Sequence, residues 1–188
     1  MVVESSTDEL EHGRPAPDFE LRGTDEKTYS LSDFGEYDAL LVVFTCNHCP
    51  YAKSKFETLN DIAADYDDVA VVGINPNDAE EYPDDSFERM RELVADGTVA
   101  YDAYLRDGSQ AVADAYGAAC TPDPFLFDGT DGKFTLAYHG RLDDAQSPDA
   151  EPSGEPGFEI RQAIDAVLAG EPVAVEEVPS RGCSIKWK

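Results

Sequence analysis

The residues with the clearest chemical potential are Cys46 and Cys49, separated by two residues in the run Cys46-Asn47-His48-Cys49-Pro50. Two cysteines at this spacing can form and break a disulfide, and they can also bind a metal ion. Zinc sites usually need a second pair of ligands. The other cysteines of this chain, Cys120 and Cys183, stand alone. The motif therefore favours redox chemistry over metal binding.

The segments around the motif place it between a strand and a helix. The apolar run 39–45 predicts a strand buried on both faces, and residues 51–66 are compatible with a helix. Free N–H groups and the dipole at a helix start stabilise an anion, which makes a cysteine there easier to ionise. We therefore expect Cys46 to be the exposed nucleophile and Cys49 to resolve the mixed disulfide from one turn further in. A protonated His48 would stabilise the thiolate further.

The rest of the chain alternates predicted strands with predicted helices. Strands are expected at 15–21, 28–31, 69–74, 104–106, 125–127 and 134–139, and helices at 50–65, 83–94, 110–116 and 158–169. Asp-Gly turns between the last two strands predict an antiparallel hairpin. The pattern predicts a three-layer α/β/α domain over residues 14–170, with a flexible arm at 1–13 and an extended tail at 171–188.

The chain is strongly acidic, with 40 acidic and 14 basic residues among 188 and a formal charge of -26. This charge disfavours nucleic acid and anionic membranes as partners. Acidic pairs such as Asp84-Asp85 and Asp143-Asp144 are expected in exposed turns, on a surface suited to a salt-rich cytosol as in halophilic archaea. We find no signal peptide and no apolar run near the ~20 residues of a membrane helix. We therefore expect a cytoplasmic protein, in which a C-x-x-C pair is catalytic rather than structural.

Two motifs together resemble those of the thioredoxin-fold redoxins, in the peroxiredoxin-like (AhpC/TSA-related) branch that carries C-x-x-C. They are the segment 44–51 around the cysteine pair and the segment 116–128, and the ending 182–187 also looks like this branch. The resemblance covers roughly residues 15–170. It implies a thioredoxin-like sandwich with a central mixed sheet and an N-terminal redoxin-type extension. It also implies a cis peptide bond before Pro122, rather than before the rival Pro124, and a Thr121 backbone that faces disulfide substrates.

The resemblance implies a thiol–disulfide oxidoreductase without a cofactor. Its partners would be protein or small-molecule disulfides or dithiols, together with a thiol reductant system. The alternative is a thiol peroxidase that acts on hydroperoxides through Cys49 or Cys46. Peroxidases of this family need a threonine where Cys46 stands and an arginine at or next to Pro122, so two expected donors are missing. Arg106 or Arg141 could compensate for that arginine.

Three further residues could add to this chemistry. Cys120 lies two residues before Pro122 and is either a buried packing residue, the common fate of a free cysteine, or an accessory redox residue. Cys183 in the tail could resolve a sulfenic acid, pair with Cys120, or have no role. His139 closes a strand, and with the C-x-x-C cysteines it would form the ligand set of a third alternative, a copper carrier.

Overall fold

The computed structural model describes all 188 residues and contains ten strands and five α-helices. The strands are β1 (Val3–Ser5), β2 (Glu20–Gly23), β3 (Thr28–Ser30), β4 (Ala39–Phe44), β5 (Val69–Asn75), β6 (Ala103–Arg106), β7 (Cys120–Thr121), β8 (Asp123–Asp128), β9 (Thr135–Tyr138) and β10 (Arg181–Ser184). The helices are α1 (Pro50–Lys53), α2 (Phe56–Asp65), α3 (Phe87–Ala95), α4 (Ala111–Tyr116) and α5 (Phe158–Leu168). None of the helices has the length and apolar character that a membrane span requires.

Seven strands form the central sheet, in the order β3-β2-β6-β5-β4-β8-β9. The β4, β5 and β6 strands are parallel, and the remaining pairs are antiparallel, including the predicted β8–β9 hairpin. The central strand β4 is buried along its whole length. Its Leu40, Val42 and Phe44 side chains pack in a cluster with α4 on one face, and Leu41 and Val43 pack with α2 and α5 on the other. The predicted three-layer α/β/α architecture is therefore confirmed.

Two predicted helices each divide into two pieces. The helix expected at 50–65 is interrupted after α1, where the Ser54 hydroxyl donates a hydrogen bond to the carbonyl oxygen of Tyr51. The helix expected at 83–94 begins as a short 3-10 turn, and α3 starts only after Ser86. The Ser86 side chain accepts a hydrogen bond from the N–H of Arg89, which makes it an N-cap.

Both ends of the chain join a second, three-stranded sheet in the order β1-β10-β7. Val3 pairs with Cys183, and Cys183 in turn pairs with Thr121. Residues 3–5 of the expected flexible arm at 1–13 and residues 181–184 of the expected extended tail at 171–188 are thus strands of this sheet. These short segments carry no strand signal of their own, because their pairing depends on partners far away in the sequence. The division of the chain into arm, domain and tail stays a prediction. The second sheet brings the tail to the segment that precedes Pro122.

Candidate active site

The C-x-x-C turn follows β4 at the edge where the parallel strand β5 also ends. Phe44 pairs with Ile74, so the turn lies beside the loop that follows β5. Cys49 is the N-cap of α1, and Pro50 occupies the first helical turn, where its missing N–H has no cost. The predicted position between a strand and a helix is confirmed.

Cys46 is a free cysteine with 0% of its surface exposed. Its Sγ lies 3.2 Å from Oγ1 of Thr121. Burial raises the pKa of the Cys46 thiol to about 12, and the negative charge of Asp85 acts in the same direction. Hydrogen bonds from Thr121 and from the backbone N–H groups of Cys49 and His48 lower this pKa only in part. The expectation of an exposed, easily ionised Cys46 is therefore wrong for this state, because desolvation outweighs the favourable position at the helix start.

Cys49 forms a disulfide with Cys183 of β10, across 134 residues of sequence and with a Cα–Cα distance of 6.3 Å. We expected Cys49 to pair with Cys46 instead. The difference arises because β10 pairs with β7, which holds Cys183 opposite Thr121 and next to the C-x-x-C turn. The three sulfurs of Cys46, Cys49 and Cys183 consequently share one buried apolar cluster.

Asp85 is a functional candidate that the sequence analysis placed in an exposed turn, although its side chain is 0% exposed. Its Oδ1 accepts hydrogen bonds from the Asn47 N–H at 2.6 Å and from the Asn75 amide at 3.2 Å. Its Oδ2 lies 2.6 Å from Nδ1 of His48 and accepts from the Asn77 amide at 2.8 Å. These four partners fill the lone-pair positions of a carboxylate. The parallel pairing of β4 and β5 is the signal that could have placed residues 75–77 beside the motif.

His48 faces Asp85 with Nδ1 and stacks on Tyr82, with 5.3 Å between the ring centroids. A quarter of its side chain is exposed. A positive charge on this ring would be offset by the adjacent carboxylate, which itself opposes ionisation of Cys46. Stabilisation of the thiolate by His48 stays a prediction.

The Thr121–Pro122 peptide bond is cis, as the resemblance implied. Thr121 contacts both cysteines of the motif, because its hydroxyl lies against Cys46 and its carbonyl oxygen lies 3.7 Å from Sγ of Cys49. The structure therefore brings together the two motifs that the sequence analysis singled out.

Cys120 lies in the same turn but is free and buried. Its Sγ lies 3.6 Å from the carbonyl oxygen of Pro122 and 3.8 Å from that of Ser180. Burial raises the pKa of the Cys120 thiol well above its ordinary value. These surroundings favour the packing alternative for Cys120, and an accessory redox role stays a prediction.

The ligand set expected for a copper carrier is not assembled. Cys49 is engaged in its disulfide, and Nε2 of the buried His139 lies 2.8 Å from Oδ1 of Asp123. The ligand atoms that do lie within 4.8 Å of one another belong to Cys46, His48 and Asp85. The lone pairs of this carboxylate are already occupied by hydrogen-bond donors, so the group does not offer a ready metal site.

The two arginines considered for a peroxidase are bound elsewhere. The Arg106 guanidinium donates hydrogen bonds to the carbonyl oxygens of Asn75 and Asn77 at 2.8 and 2.5 Å. Arg141 forms a bidentate ion pair with Glu159, with both distances 2.7 Å. Neither guanidinium is therefore free to replace the arginine that a peroxidase needs.

Two solved structures are similar to this chain along nearly its whole length. An uncharacterized conserved protein from Geobacillus kaustophilus has 41% identity and a TM-score of 0.91, covering 100% of this chain and 97% of that one. A hypothetical protein from Sinorhizobium meliloti has 42% identity and a TM-score of 0.86, covering 98% and 97%. No protein of curated function matches the chain.

The exposed lipoprotein thioredoxin of Streptococcus pneumoniae has 20% identity and a TM-score of 0.57, covering 79% of this chain and 98% of its own. This likeness shows the fold alone and confirms the predicted thioredoxin-like architecture. The model of the AhpC/TSA family matches residues 12–135, which is more than half of the chain. The predicted redoxin relationship is confirmed, and the chain belongs to the AhpC/TSA family.

Proposed function

We propose that this protein is an oxidoreductase that catalyses thiol–disulfide exchange through the Cys46 and Cys49 turn. The observation that carries the proposal is the buried sulfur cluster, in which Cys49 is in a disulfide while Cys46 is a free thiol held by Thr121. Membership of the AhpC/TSA family supports redox chemistry at this cysteine pair. The substrates would be protein or small-molecule disulfides or dithiols, and a thiol reductant system would return the enzyme to its reduced form.

The exchange needs two cysteines that act in sequence. In the reduced protein, the Cys46 thiolate attacks a substrate disulfide, forms a mixed disulfide and releases one substrate sulfur as a thiolate. Cys49 then attacks Sγ of Cys46, which forms a Cys46–Cys49 disulfide and releases the second substrate sulfur. Two electrons pass from the enzyme to the substrate, and the reverse sequence oxidises a dithiol. Thr121 contacts both enzyme sulfurs and so positions them for each step.

The raised pKa of Cys46 makes this thiol a weak nucleophile in the oxidised protein, in which the tail covers it. Because burial raises the pKa of Cys46 to about 12, nearly all of this thiol is un-ionised at pH 7. Burial is the largest cause of the shift, so any movement that admits water or a polar substrate to Cys46 lowers the pKa. Exposure of this thiol is therefore the step that activates it toward an external substrate.

Peroxide reduction is the less supported activity. A peroxidase needs hydrogen-bond donors that hold both peroxide oxygens and stabilise the leaving group. The sequence lacks two of them, and Arg106 and Arg141 are bound to other groups. We expect the reduced protein to form sulfenic acid with hydrogen peroxide no faster than free cysteine does. A much faster reaction, followed by stopped flow, would favour the peroxidase instead.

The proposal is tested by reduction of insulin disulfides in the presence of a dithiol. Cys46→Ser removes the attacking sulfur and should lower the rate by about 100-fold or more. Cys120→Ser is the matched control, because it changes a second buried free cysteine that has no sulfur partner. We expect this control to stay near the wild-type rate. Full activity in Cys46→Ser would show that the proposal is wrong.

A further inference from the structure

The tail strand β10 lies along the backbone of Thr121, the residue that contacts both cysteines of the C-x-x-C motif. It pairs antiparallel with β7, so that Cys183 is opposite Thr121 and Ser184 is opposite Cys120. Addition of an extended strand to a free sheet edge is a common way to bind a peptide. In this molecule the added strand is part of the same chain, and its cysteine is joined to the C-x-x-C turn by a disulfide. The β10 strand thus has both features of a bound disulfide substrate.

Gly182 makes this close docking possible. A Cβ at this position would lie 2.0 Å from the Thr121 carbonyl oxygen, 2.5 Å from its carbonyl carbon and 3.0 Å from the Pro122 nitrogen. All three are backbone atoms of the cis-proline turn and cannot move aside as a flexible side chain would. Any residue larger than glycine must therefore lift β10 away from Thr121.

The disulfide is approached from outside on the side of Cys183. A pocket of about 400 Å³ is lined by Cys183, His48, Tyr82 and Lys186, together with residues of the N-terminus. Neither Cys46 nor Cys49 lines this pocket. The tail therefore covers the motif, and of the three clustered cysteines only Cys183, itself 2% exposed, lines the space where an external thiol would arrive.

We propose that Cys183 is a third redox cysteine and that β10 is an internal substrate strand, an inference that rests on the proposed function. The Cys46 thiolate attacks Sγ of Cys49, a Cys46–Cys49 disulfide forms, and the Cys49–Cys183 bond breaks. Cys183 leaves as a thiolate and takes up the proton that Cys46 has lost. No external oxidant or reductant is required, because one disulfide replaces another.

The exchange converts a closed form into an open form. In the closed form, Cys49 is bound to Cys183, and β10 is paired with the backbone of β7 at Thr121. In the open form, Cys49 is bound to Cys46, β10 is free to leave, and an external dithiol can take its place beside the cis-proline turn. An external substrate strand therefore has to compete with the tail for the same backbone edge.

Gly182→Ala tests this proposal without changing any cysteine. The oxidised protein is quenched in acid, denatured and labelled with N-ethylmaleimide, and the labelled cysteines are identified by mass spectrometry. In the wild type, we expect the label on Cys46 and Cys120. In Gly182→Ala, the clash weakens docking of β10, and the label on Cys183 should rise about tenfold while that on Cys46 falls. Gly108→Ala is the control, because no atom lies within 4 Å of its added Cβ.

An unchanged label on Cys183 in folded Gly182→Ala, or a wild type that already carries the Cys46–Cys49 disulfide, would overturn the inference. If Gly182→Ala does not fold, Cys183→Ser decides the matter. It should carry a Cys46–Cys49 disulfide when oxidised and react with an external dithiol faster than the wild type, and failure to do so would count equally against the inference. Insulin reduction by the wild type separates this result from the proposed function. Turnover with unchanged labelling rejects only the internal substrate strand, whereas shifted labelling without turnover rejects only the proposed activity.

Discussion

Beside each of two turns of this molecule lie the same three residue types, which are a buried free cysteine, a histidine and a buried aspartate that faces the histidine. Around the C-x-x-C turn they are Cys46, His48 and Asp85, which comes from the segment after β5. Around the cis peptide bond they are Cys120, Asp123 and His139, which comes from the end of β9. Burial raises the pKa of both thiols, so neither the residue types nor burial distinguishes the two turns.

The neighbours of the two groups are what differ. Cys46 shares its cluster with the sulfurs of Cys49 and Cys183, whereas the Cys120 sulfur faces backbone carbonyl oxygens. The side chain of His48 is 25% exposed, whereas that of His139 is 4% exposed and stacks on Phe125 with 3.8 Å between the ring centroids. The neighbouring sulfurs and the partly exposed histidine therefore distinguish the surroundings of Cys46 from those of Cys120.

The largest expected difference concerns stability. His139→Ala removes a buried ring that stacks on Phe125 and a hydrogen-bond partner of the buried Asp123, and it should lower the free energy of unfolding by about 3–5 kcal/mol. His48→Ala should cost only about 1 kcal/mol, because the ring is partly exposed and Asp85 keeps three other donors. Urea denaturation of the oxidised proteins measures both values. Equal losses would contradict the assignment of a structural role to one pair and a site role to the other.

The second difference is in thiol reactivity. Reduction of the Cys49–Cys183 disulfide frees the tail, so iodoacetamide should label Cys46 about tenfold faster than before, while Cys120 stays slow. In the oxidised protein, a thiol ionises only as the pH rises through its pKa. With a pKa of about 12, the Cys46 rate should therefore climb without a plateau from pH 7 to pH 10. The labelling rates are measured by mass spectrometry. A plateau in the Cys46 rate near pH 8 would show that burial does not determine the pKa of this thiol.

A smaller effect is expected from Thr121→Val. The Thr121 hydroxyl lowers the pKa of Cys46, so its loss should raise that pKa and slow labelling of Cys46 by a few-fold. Cys120 makes no hydrogen bond to this hydroxyl and provides the internal control within the same experiment. Equal slowing at both cysteines would indicate a general structural change.

The smallest difference between the two turns is expected when the salt concentration is changed. Salt screens the repulsion among acidic residues over the whole surface, so it should stabilise both turns equally. The charge of -26 opposes compaction, and the screening length falls from ~10 Å at 0.1 M to ~3 Å at 1 M salt. We predict that Tm rises steadily from dilute to molar KCl, by the same amount in the reduced and oxidised proteins. A flat profile in calorimetry would mean that the acids are locally compensated. The salt-rich cytoplasm stays a prediction from composition.

The central elements could be predicted because their signals are local. The apolar run of β4, the C-x-x-C spacing and the segment before Pro122 are each contained within a few residues, and the structure places them as expected. The acids of the chain gave no such signal. Asp143, expected in an exposed turn, is fully buried in an ion pair with Lys55. The sequence could not predict this, because a solvated acidic residue and a paired one have the same local sequence pattern.

The disulfide partner of Cys49 could not be predicted, because it depends on pairing between distant segments. The β1 and β10 strands are too short to show a periodic pattern, and their register fixes which cysteine meets the motif. Cys183 and Cys120 are both accessory redox candidates in the sequence, and no local feature favours one over the other. The predicted exposure of Cys46 was wrong for the same reason, because Cys183 of the tail belongs to the apolar cluster that buries Cys46.

The most direct test of disulfide exchange at the C-x-x-C turn uses the double variant Cys49→Ser/Cys183→Ser. It retains one free cysteine from each turn, Cys46 and Cys120, and lacks the sulfurs that would resolve a mixed disulfide. The variant is mixed with intact, disulfide-bonded insulin, quenched in acid and mapped by mass spectrometry. We predict a stable mixed disulfide on Cys46 and none on Cys120. A mixed disulfide on Cys120, or on neither cysteine in the folded protein, would contradict this prediction.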